Sequence, residues 1–230
     1  MIFLKYLYHV YKKNGLHVKP NIIHHFFIYK EWKAINSKGK SLLELQLPWI
    51  SVASKNMISD FLQKNGRLNI FEFGSGGSSL FFNNNGAKLI SIEHDKEWFN
   101  KLNEIKEKTN TQWQIIHVPP EIKNVSQKYP SVFPGYENAD FSSYVKSIDT
   151  YENDTFDLIL VDGRCRLKCL KHARKKVKIG GWIVLDNAER KRYFEEEVLD
   201  KLHFKLIFDH YGALIGSYQF VKTNIYCRKK

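Results

Sequence analysis

Asn69-Ile-Phe-Glu-Phe-Gly-Ser-Gly-Gly-Ser-Ser79 is the stretch of sequence that decides the fold. It passes from a short apolar run into three closely spaced glycines, and a second apolar run, Leu80-Phe-Phe82, follows. This order predicts a buried strand, a tight turn and the start of a helix. Glycine at the turn lets the backbone come close to a ligand at a point where a Cβ atom would block it.

An acidic residue follows this turn at a spacing that indicates a nucleoside. Glu93 comes nineteen residues after Gly74, at the end of the apolar run Leu89-Ile-Ser-Ile92. An acid at about this distance, at the end of the second strand, is placed to accept hydrogen bonds from ribose hydroxyls. The first half of the chain therefore predicts a cofactor that contains a nucleoside.

The residues of the turn favour a cofactor without phosphate. The dinucleotide fingerprint is G-x-G-x-x-G/A, and this chain has Ser79 at the third glycine position. Glu72 would repel a pyrophosphate and attract a cation such as the sulfonium of S-adenosylmethionine. The segment Glu72-Phe-Gly-Ser-Gly-Gly-Ser78 resembles the first motif of the class I S-adenosylmethionine-dependent methyltransferases, usually E/D-x-G-x-G-x-G. Ser78 replaces the last glycine, a departure that this family tolerates.

Three later segments fit the sheet of that family. Phe156-Asp-Leu-Ile-Leu-Val-Asp-Gly163 and Gly180-Gly-Trp-Ile-Val-Leu-Asp-Asn187 are typical of strands buried on both faces, and the glycine pair is expected to end a helix. Phe204-Lys-Leu-Ile-Phe208 and Asn224-Ile-Tyr-Cys227 predict an antiparallel pair. The resemblance implies an α/β fold with a doubly wound, seven-stranded, mostly parallel sheet and an antiparallel C-terminal strand.

The length of 230 residues predicts one domain with a small extension. We expect an N-terminal helical extension over residues 1–65 and a methyltransferase domain that binds S-adenosylmethionine over residues 66–230. No apolar run reaches the ~18 residues of a membrane span, and the opening segment lacks the features of a signal peptide. The three cysteines are an odd count that indicates reduced thiols and a cytoplasmic location.

The net charge of +12 leaves several partners open. In the basic run from Arg164 to Lys178, apolar residues recur at helical spacing, which favours a solvated basic face. The same charge suits an anionic partner: an acidic glycan, a membrane surface contacted peripherally, or nucleic acid. Arg164 and Arg166 lie at the rim of the expected site, where they could bind an acidic acceptor or balance nearby carboxylates. The sequence does not indicate an oligomeric state.

A long segment rich in proline and aromatic residues follows the third predicted strand, from Pro119 to about Asp140. Loops of this length are typically lids or binding loops. We expect it to cover the acceptor, with Tyr129, Phe133 and Tyr136 as possible walls. The alternative is a surface loop whose aromatic side chains pack on the body of the domain.

The resemblance implies a division of roles around the carboxyl edge of the sheet. Glu72 and the turn residues would hold the methionine end of the cofactor, Glu93 and His94 the ribose side, and Asp162 the adjoining wall. The expected cofactor-binding residues are Glu72, Gly74, Ser75, Gly76, Gly77, Ser78, Glu93, His94 and Asp162.

Oxygen ligands at two neighbouring strand ends indicate a metal as one way to activate the acceptor. Asp162, Asp186 and Asn187 are hard ligands that suit Mg²⁺ and resemble the metal ligands of the catechol O-methyltransferase family. The Asp186–Glu189 stretch is equally typical of a capping box that begins a helix. Without a metal, Asp162 alone would be the catalytic base.

The sequence thus predicts an S-adenosylmethionine-dependent methyltransferase that acts on oxygen in a small hydroxylated acceptor such as a sugar. An RNA methyltransferase is the first alternative, because of the charge. A nicotinamide-dependent dehydrogenase is the second, although Glu72 and Ser79 disfavour it. A protein that keeps the fold and catalyses nothing is the third.

Overall fold

A computed structural model describes residues 1–15, 21–108, 112–122, 128–131 and 133–229. Nine strands are present in these ranges: β1 (Asn69–Phe73), β2 (Lys88–Glu93), β3 (Trp113–His117), β4 (Glu121–Ile122), β5 (Ala139–Asp140), β6 (Phe156–Val161), β7 (Val177–Asp186), β8 (Phe204–Ala213) and β9 (Phe220–Arg228). The helices are α1 (Phe3–Asn14), α2 (Ile22–Asn36), α3 (Leu42–Leu45), α4 (Val52–Asn65), α5 (Gly77–Asn84), α6 (Lys96–Glu107), α7 (Ser142–Lys146) and α8 (Arg166–Ala173).

Seven strands form one sheet in the order β3-β2-β1-β6-β7-β9-β8. The first five run parallel, and β9 pairs antiparallel with both β7 and β8. The winding direction changes between β1 and β6, so the carboxyl ends of these two strands lie side by side. The predicted doubly wound sheet with a reversed C-terminal strand is confirmed.

Helices cover both faces of the sheet, as the unbroken apolar strands require. On one face, Phe71 and Phe73 of β1 share a buried cluster with residues of α7 and α8. On the other face, Ile70 of β1 packs with residues of α4, α5 and α6. The site at the carboxyl edge is therefore supported by two separate apolar layers.

The helices before β1 pack on the sheet in two places. Tyr6 of α1 and Trp32 of α2 are buried against Ala213 and Ile215, at the end of β8. Helix α4 contributes Val52 and Ala53 to this same cluster, and Ile58 and Leu62 to the cluster on β1. The expected helical content of residues 1–65 is found in the described part of that range, and its status as a separate extension stays a prediction.

The glycine pair Gly180–Gly181 lies inside β7 and does not end a helix as expected. Helix α8 ends earlier, at Ala173, and a Cβ atom on Gly181 would lie 2.9 Å from the carbonyl oxygen of Asp157. The pair therefore permits a close approach of β7 to β6 at a register shift between Phe156 and Leu158.

The helix that a capping box at Asp186 would begin is also not found. The described residues after β7 form turns and a short 3-10 helix, Lys191–Phe194. Glu189 accepts a hydrogen bond from the backbone N–H of Lys222 at 3.1 Å, so it binds the start of β9 instead of capping a helix. Across the described residues, no helix is both long enough and apolar enough to cross a membrane.

Candidate functional site

The turn after β1 touches the turn after β6. Gly74 has φ +90°, and a Cβ atom there would lie 3.0 Å from the Cα of Gly163. A Cβ atom on Gly163 would in turn collide with the hydroxyl of Tyr144. Glycine at both positions allows the two strand ends to meet, so a ligand has to lie above this contact and not between the strands.

The outer side of the same turn is open. A Cβ atom on Gly76 would meet only the ring of Trp98, at 3.9 Å. The indole N–H of Trp98 donates a hydrogen bond to the carbonyl oxygen of Ser75 at 2.8 Å and fixes the turn from the side of α6. The turn therefore presents a backbone surface that a ligand can approach closely at Gly76.

Glu72 is completely buried beneath the turn. Its carboxylate accepts hydrogen bonds from the hydroxyls of Ser78 and Ser79, the latter at 2.5 Å, in the first turn of α5. Burial raises the pKa of Glu72 to about 8, against the opposing effect of the two hydroxyls. Its oxygens bind the protein itself, so Glu72 holds the glycine turn against α5. The expected attraction for a cationic ligand is weakened, because an acid with this pKa is largely protonated at neutral pH.

Glu93, at the end of β2, lies beside the turn with its side chain almost fully buried. One carboxylate oxygen accepts from the backbone N–H and the hydroxyl of Ser75, at 3.2 and 3.0 Å. The other accepts from the backbone N–H groups of His94 and Asp95, at 2.8 and 2.9 Å. Burial opposes ionisation, but the imidazole of His94, whose Nδ1 lies 2.8 Å from Glu93 Oε1, and then the N–H groups of Asp95 and Ser75 lower the pKa of Glu93. The carboxylate is therefore ionised at the position expected for a ribose. Asp95 caps α6 through the N–H of Trp98.

Arg164 and His94 connect the ends of β6 and β2. The guanidinium Nε of Arg164 donates to the imidazole Nε2 of His94 at 3.1 Å. The guanidinium also lies over the ring of Phe133, at 3.8 Å from its centroid, and near that of Tyr136. The ring of Tyr136 is 5.4 Å from that of His94.

Part of the predicted lid is thereby found over the carboxyl edge of the sheet, in contact with His94 and Arg164. Tyr129 packs partly buried against the main core, and its hydroxyl lies 3.5 Å from His172. Residues 123–127 and 132 of the expected lid lie outside the described residues. A role of Tyr129, Phe133 and Tyr136 as acceptor walls stays a prediction.

Asp162 and Asp186 lie at neighbouring strand ends as expected, but a guanidinium lies between them. Arg166 places Nη2 at 2.7 Å from Asp162 Oδ1 and Nη1 at 3.4 Å from Asp186 Oδ2. It also donates to the carbonyl oxygens of Asp162, Gly163 and Asp186. Asp186 accepts a further hydrogen bond from the hydroxyl of Thr223 at 3.1 Å.

This arrangement does not fit the predicted Mg²⁺ site. The positive charge that the two acids require is supplied by Arg166, and the ion would have to displace a buried guanidinium held by five contacts. In the ranges described, no group of three or more His, Cys, Asp or Glu residues could hold a metal ion. Asn187 has φ +51° and belongs to the turn that follows β7.

The two acids differ in environment. Burial raises the pKa of Asp186 to about 8, and the neighbouring charge of Asp162 adds to this effect, whereas Arg166 opposes it. The Asp162 side chain is more exposed, 25% against 3%, and lies closer to the guanidinium. Burial raises the pKa of Asp162 as well, but the guanidinium of Arg166 and a hydrogen bond with Asp186 oppose this rise. Within the pair we therefore place the proton on Asp186 and the negative charge on Asp162.

A cavity of about 650 Å³ lies at the opposite edge of the sheet. It is lined by residues at or near the starts of β1, β2 and β3, among them Arg67, Lys88 and Trp113. None of the expected site residues contributes to it. The cavity is therefore unrelated to the arrangement around Gly76 and Glu93.

Solved structures resemble this arrangement of strands and helices. A Klebsiella pneumoniae protein assigned as an O-methyltransferase aligns with a TM-score of 0.56 and 13% identity, covering 87% of this chain and 99% of the other. The chain has the class I methyltransferase fold. A Clostridium thermocellum protein assigned as an rRNA-methylase gives a TM-score of 0.52 and 10% identity over 80% and 98% of the two chains. SMU.1697c from Streptococcus mutans, assigned as a methyltransferase, was solved in complex with SAH. It gives a TM-score of 0.50 and 15% identity, covering 75% of this chain and 96% of the other.

The class I methyltransferase fold is thus shown by structure and not by sequence. Comparison with protein-family models gives no match, and comparison with curated protein sequences gives none either. The chain spans only 62% and 48% of the length of two of the structures that it resembles, TehB from Haemophilus influenzae and TrmN from Thermus thermophilus.

Most residues that the fold brings together at this edge were predicted from the sequence, but some of the side chains that contact them were not. The glycine turn, Glu93, His94, Asp162 and Asp186 all lie at the carboxyl edge of the sheet. The link between Arg164 and His94 was not anticipated, and neither was the contact of Trp98 with the turn. The signal available for Trp98 was its place three residues after the capping Asp95, which directs the first turn of α6 toward the glycines.

Proposed function

We propose that this chain transfers a methyl group from S-adenosylmethionine to an oxygen atom of a small hydroxylated acceptor. The observation that carries the proposal is the open backbone surface at Gly76 with the ionised Glu93 beside it. A dinucleotide suits this place poorly, because Ser79 stands at the third glycine position of the dinucleotide fingerprint. The resemblance to a methyltransferase solved with SAH agrees with the assignment of the cofactor.

The turn would hold the methionine part of the cofactor through the backbone of Gly74, Ser75, Gly76, Gly77 and Ser78. Glu72 would not contact the cofactor and would instead keep the turn in position, since its carboxyl group accepts a hydrogen bond from the Ser78 hydroxyl.

Glu93 would accept hydrogen bonds from the ribose hydroxyls. These would replace the hydrogen bond that it now accepts from the Ser75 hydroxyl. His94 follows directly and lies under Arg164.

Asp162 is the residue that we assign to the acceptor's proton. S-adenosylmethionine would supply the methyl group to the acceptor oxygen and would leave as the neutral thioether. The Asp162 carboxylate would accept the proton that the acceptor hydroxyl loses. Its exposed fraction and its position at the end of β6 support this role, as does the pairing with Arg166, which opposes the rise of its pKa on burial. Arg166 fixes the orientation of the carboxylate.

Binding of the demethylated product tests the cofactor. Calorimetry is expected to show binding of S-adenosylhomocysteine and no binding of NAD. Glu93→Gln should weaken binding of S-adenosylhomocysteine at least about tenfold, since it removes charge-assisted hydrogen bonds. Glu104→Gln on α6 is exposed and serves as the matched control. Binding of NAD, or equal affinity in both variants, would refute the assignment of the cofactor.

Asp162→Asn tests the proton acceptor. Transfer of the methyl group is expected to fall about a hundredfold, whereas the affinity for S-adenosylhomocysteine stays within about twofold. Arg166 keeps Asp186 as a partner in this variant, so the fold is expected to persist. The measurement is turnover across a panel of hydroxylated acceptors, sugars included, with and without a chelator. Unchanged turnover would remove Asp162 from catalysis, and loss of turnover on chelation would restore the metal.

RNA is the alternative acceptor, favoured by the net charge of +12. Binding to RNA that weakens steeply as salt rises, together with methyl transfer to it, would replace the small acceptor. An acidic acceptor such as a charged glycan would use the same charge through Arg164 at the rim of the site.

A further inference from the structure

Helices α1 and α2 expose an unusual number of large apolar side chains. Seven of them are between 42% and 73% exposed, and we refer to them together as the N-terminal apolar face: Ile2, Leu4, Tyr8, Ile22, Ile23, Phe26 and Phe27. Contiguous exposed apolar surface of this kind marks a site of interaction with a protein or a membrane.

This face is not the result of helices that pack poorly. On their inner side, α1 and α2 bury Tyr6, Val10 and Trp32 against the end of β8. The indole N–H of Trp32 donates to the carbonyl oxygens of Leu214 and Ser217, each at 3.0 Å. The inner side is thus firmly attached to the sheet, and the outer side is presented as a fixed surface.

On each helix, a lysine follows the last exposed apolar residue of the stripe on the same side. Leu4, Tyr8 and Lys12 follow one another at intervals of four residues on α1, and the ammonium of Lys12 lies 5.4 Å from the centroid of the Tyr8 ring. On α2, Lys30 lies 5.5 Å from the ring of Phe26, four residues before it. An apolar stripe whose end is covered by the stem of a lysine is typical of helices at a lipid–water interface.

The two stripes adjoin each other. The ring of Phe3, which separates Ile2 from Leu4 in the chain, contacts the ring of Phe26 at 5.3 Å between centroids. It also contacts the ring of Tyr29 at the same distance. The N-terminal apolar face is therefore one surface built from both helices.

The charge of this segment has one dominant sign. Residues 1–36 contain six lysines and a single acid, Glu31. The carboxylate of Glu31 forms an ion pair with the ammonium of Lys55 at 2.5 Å and accepts a hydrogen bond from the side-chain amide of Asn56 at 2.8 Å. Both partners belong to α4. Lys5, Lys12 and Lys30 are exposed. Apolar side chains and positive charge thus occur together on the outer side of the helix pair.

We propose that the N-terminal apolar face is a docking surface for a membrane that contains anionic lipids. The apolar side chains enter the boundary between headgroups and acyl chains, and the lysines contact the phosphates. An apolar protein partner would not explain why each apolar stripe ends in a lysine, whereas an anionic lipid surface does. A second copy of this chain would present the same lysines, and the two copies would repel each other. The proposal does not rest on methyl transfer, and its test uses no cofactor.

Flotation with lipid vesicles tests the proposal on the full chain. Binding is expected with vesicles made of equal parts of phosphatidylcholine and phosphatidylglycerol, and it should weaken as salt is added. Little binding is expected with phosphatidylcholine alone. Lys12→Gln with Lys30→Gln should weaken binding about thirtyfold, since each lysine near an anionic surface contributes about 1 kcal/mol. Ile23→Ser with Phe27→Ser should weaken it at least about tenfold.

Matched substitutions elsewhere keep the test specific. Ile179→Ser with Leu202→Ser removes two apolar side chains of similar exposure, and Lys64→Gln with Lys108→Gln removes two exposed lysines outside α1 and α2. Both pairs should bind vesicles like the unaltered chain. Circular dichroism of every variant confirms that it is folded.

Three results would overturn the proposal, the first two of them from flotation. The first is equal binding by all variants, and the second is the absence of binding to anionic vesicles. The third is a dimer in light scattering that becomes a monomer in the Ile23→Ser, Phe27→Ser variant, without binding to vesicles, because the face would then be covered by a second copy.

Discussion

Replacing Gly77 by alanine is expected to lower the free energy of unfolding by about 3 kcal/mol. A Cβ atom on Gly77 would lie 2.1 Å from the carbonyl oxygen of Leu47 and 3.0 Å from that of Leu42. Both obstacles are backbone atoms, so no side-chain rotation relieves the clash. The backbone around Leu42 is also held in place, because Ser41 and Glu44 form a capping box at the start of α3. Thermal unfolding should show a Tm lower by about 6–12 °C.

The adjacent glycine provides the control for this substitution. A Cβ atom on Gly76 would meet nothing closer than the Trp98 ring at 3.9 Å. Gly76→Ala should therefore change the Tm much less than Gly77→Ala, while it weakens binding of S-adenosylhomocysteine by filling the open side of the turn. Equal losses of stability in the two variants would contradict the assigned contact with Leu47.

The contact at Gly77 illustrates which features the sequence could not predict. The strand, turn and helix around Gly74 follow from local patterns: an apolar run, glycines and a second apolar run. The approach of Leu47 to Gly77 joins segments thirty residues apart and depends on how α3 packs beside α5. Nothing in either segment alone indicates which glycine of the turn faces the chain and which faces solvent.

The same limit applies to the acids of the site. The sequence correctly predicted that Asp162 and Asp186 end neighbouring strands, because both follow unbroken apolar runs. It also offered balancing of nearby carboxylates as one role for Arg166. Either Arg166 or a metal ion could supply the positive charge beside these acids, and the path of the chain after β6 decides between them. There, Cys165 has φ +51° and turns Arg166 back toward both acids.

Glu72 is a case in which the residue was found and its role changed. The acid before the glycines suggested attraction to a cationic cofactor. The structure instead binds its two oxygens to the hydroxyls of Ser78 and Ser79. The sequence carried this signal in two consecutive hydroxyl residues: Ser78 at the last glycine position of the methyltransferase motif, and Ser79 at the third glycine position of the dinucleotide fingerprint. Burial then raises the pKa of Glu72 to about 8, which only a folded structure reveals.

Arg166→Met is expected to lower the free energy of unfolding by about 3–5 kcal/mol at about pH 8, because it leaves the buried Asp186 and the partly buried Asp162 without their cation. Methionine fills a similar volume, so the loss is due mainly to charge. Arg174→Met provides the control: Arg174 lies at the end of the same helix and pairs with Asp200 at 2.9 Å, but it is a third exposed. That variant should lose about 1 kcal/mol or less.

The dependence on pH distinguishes loss of charge compensation from loss of packing. Without the guanidinium, the pKa of each acid in the folded state rises further above its value in the unfolded chain. The folded state then holds more protons than the unfolded state, so stability falls as pH rises from about 4 through about 8. The deficit of Arg166→Met relative to the unaltered chain should therefore be smallest near pH 5 and grow as pH rises. Below about pH 8 the growth is due to Asp162, and Asp186 adds to it above about pH 8, since burial already raises its pKa to about 8 in the unaltered chain. Urea unfolding at several pH values measures it, and a deficit independent of pH would show that Arg166 contributes packing and not charge.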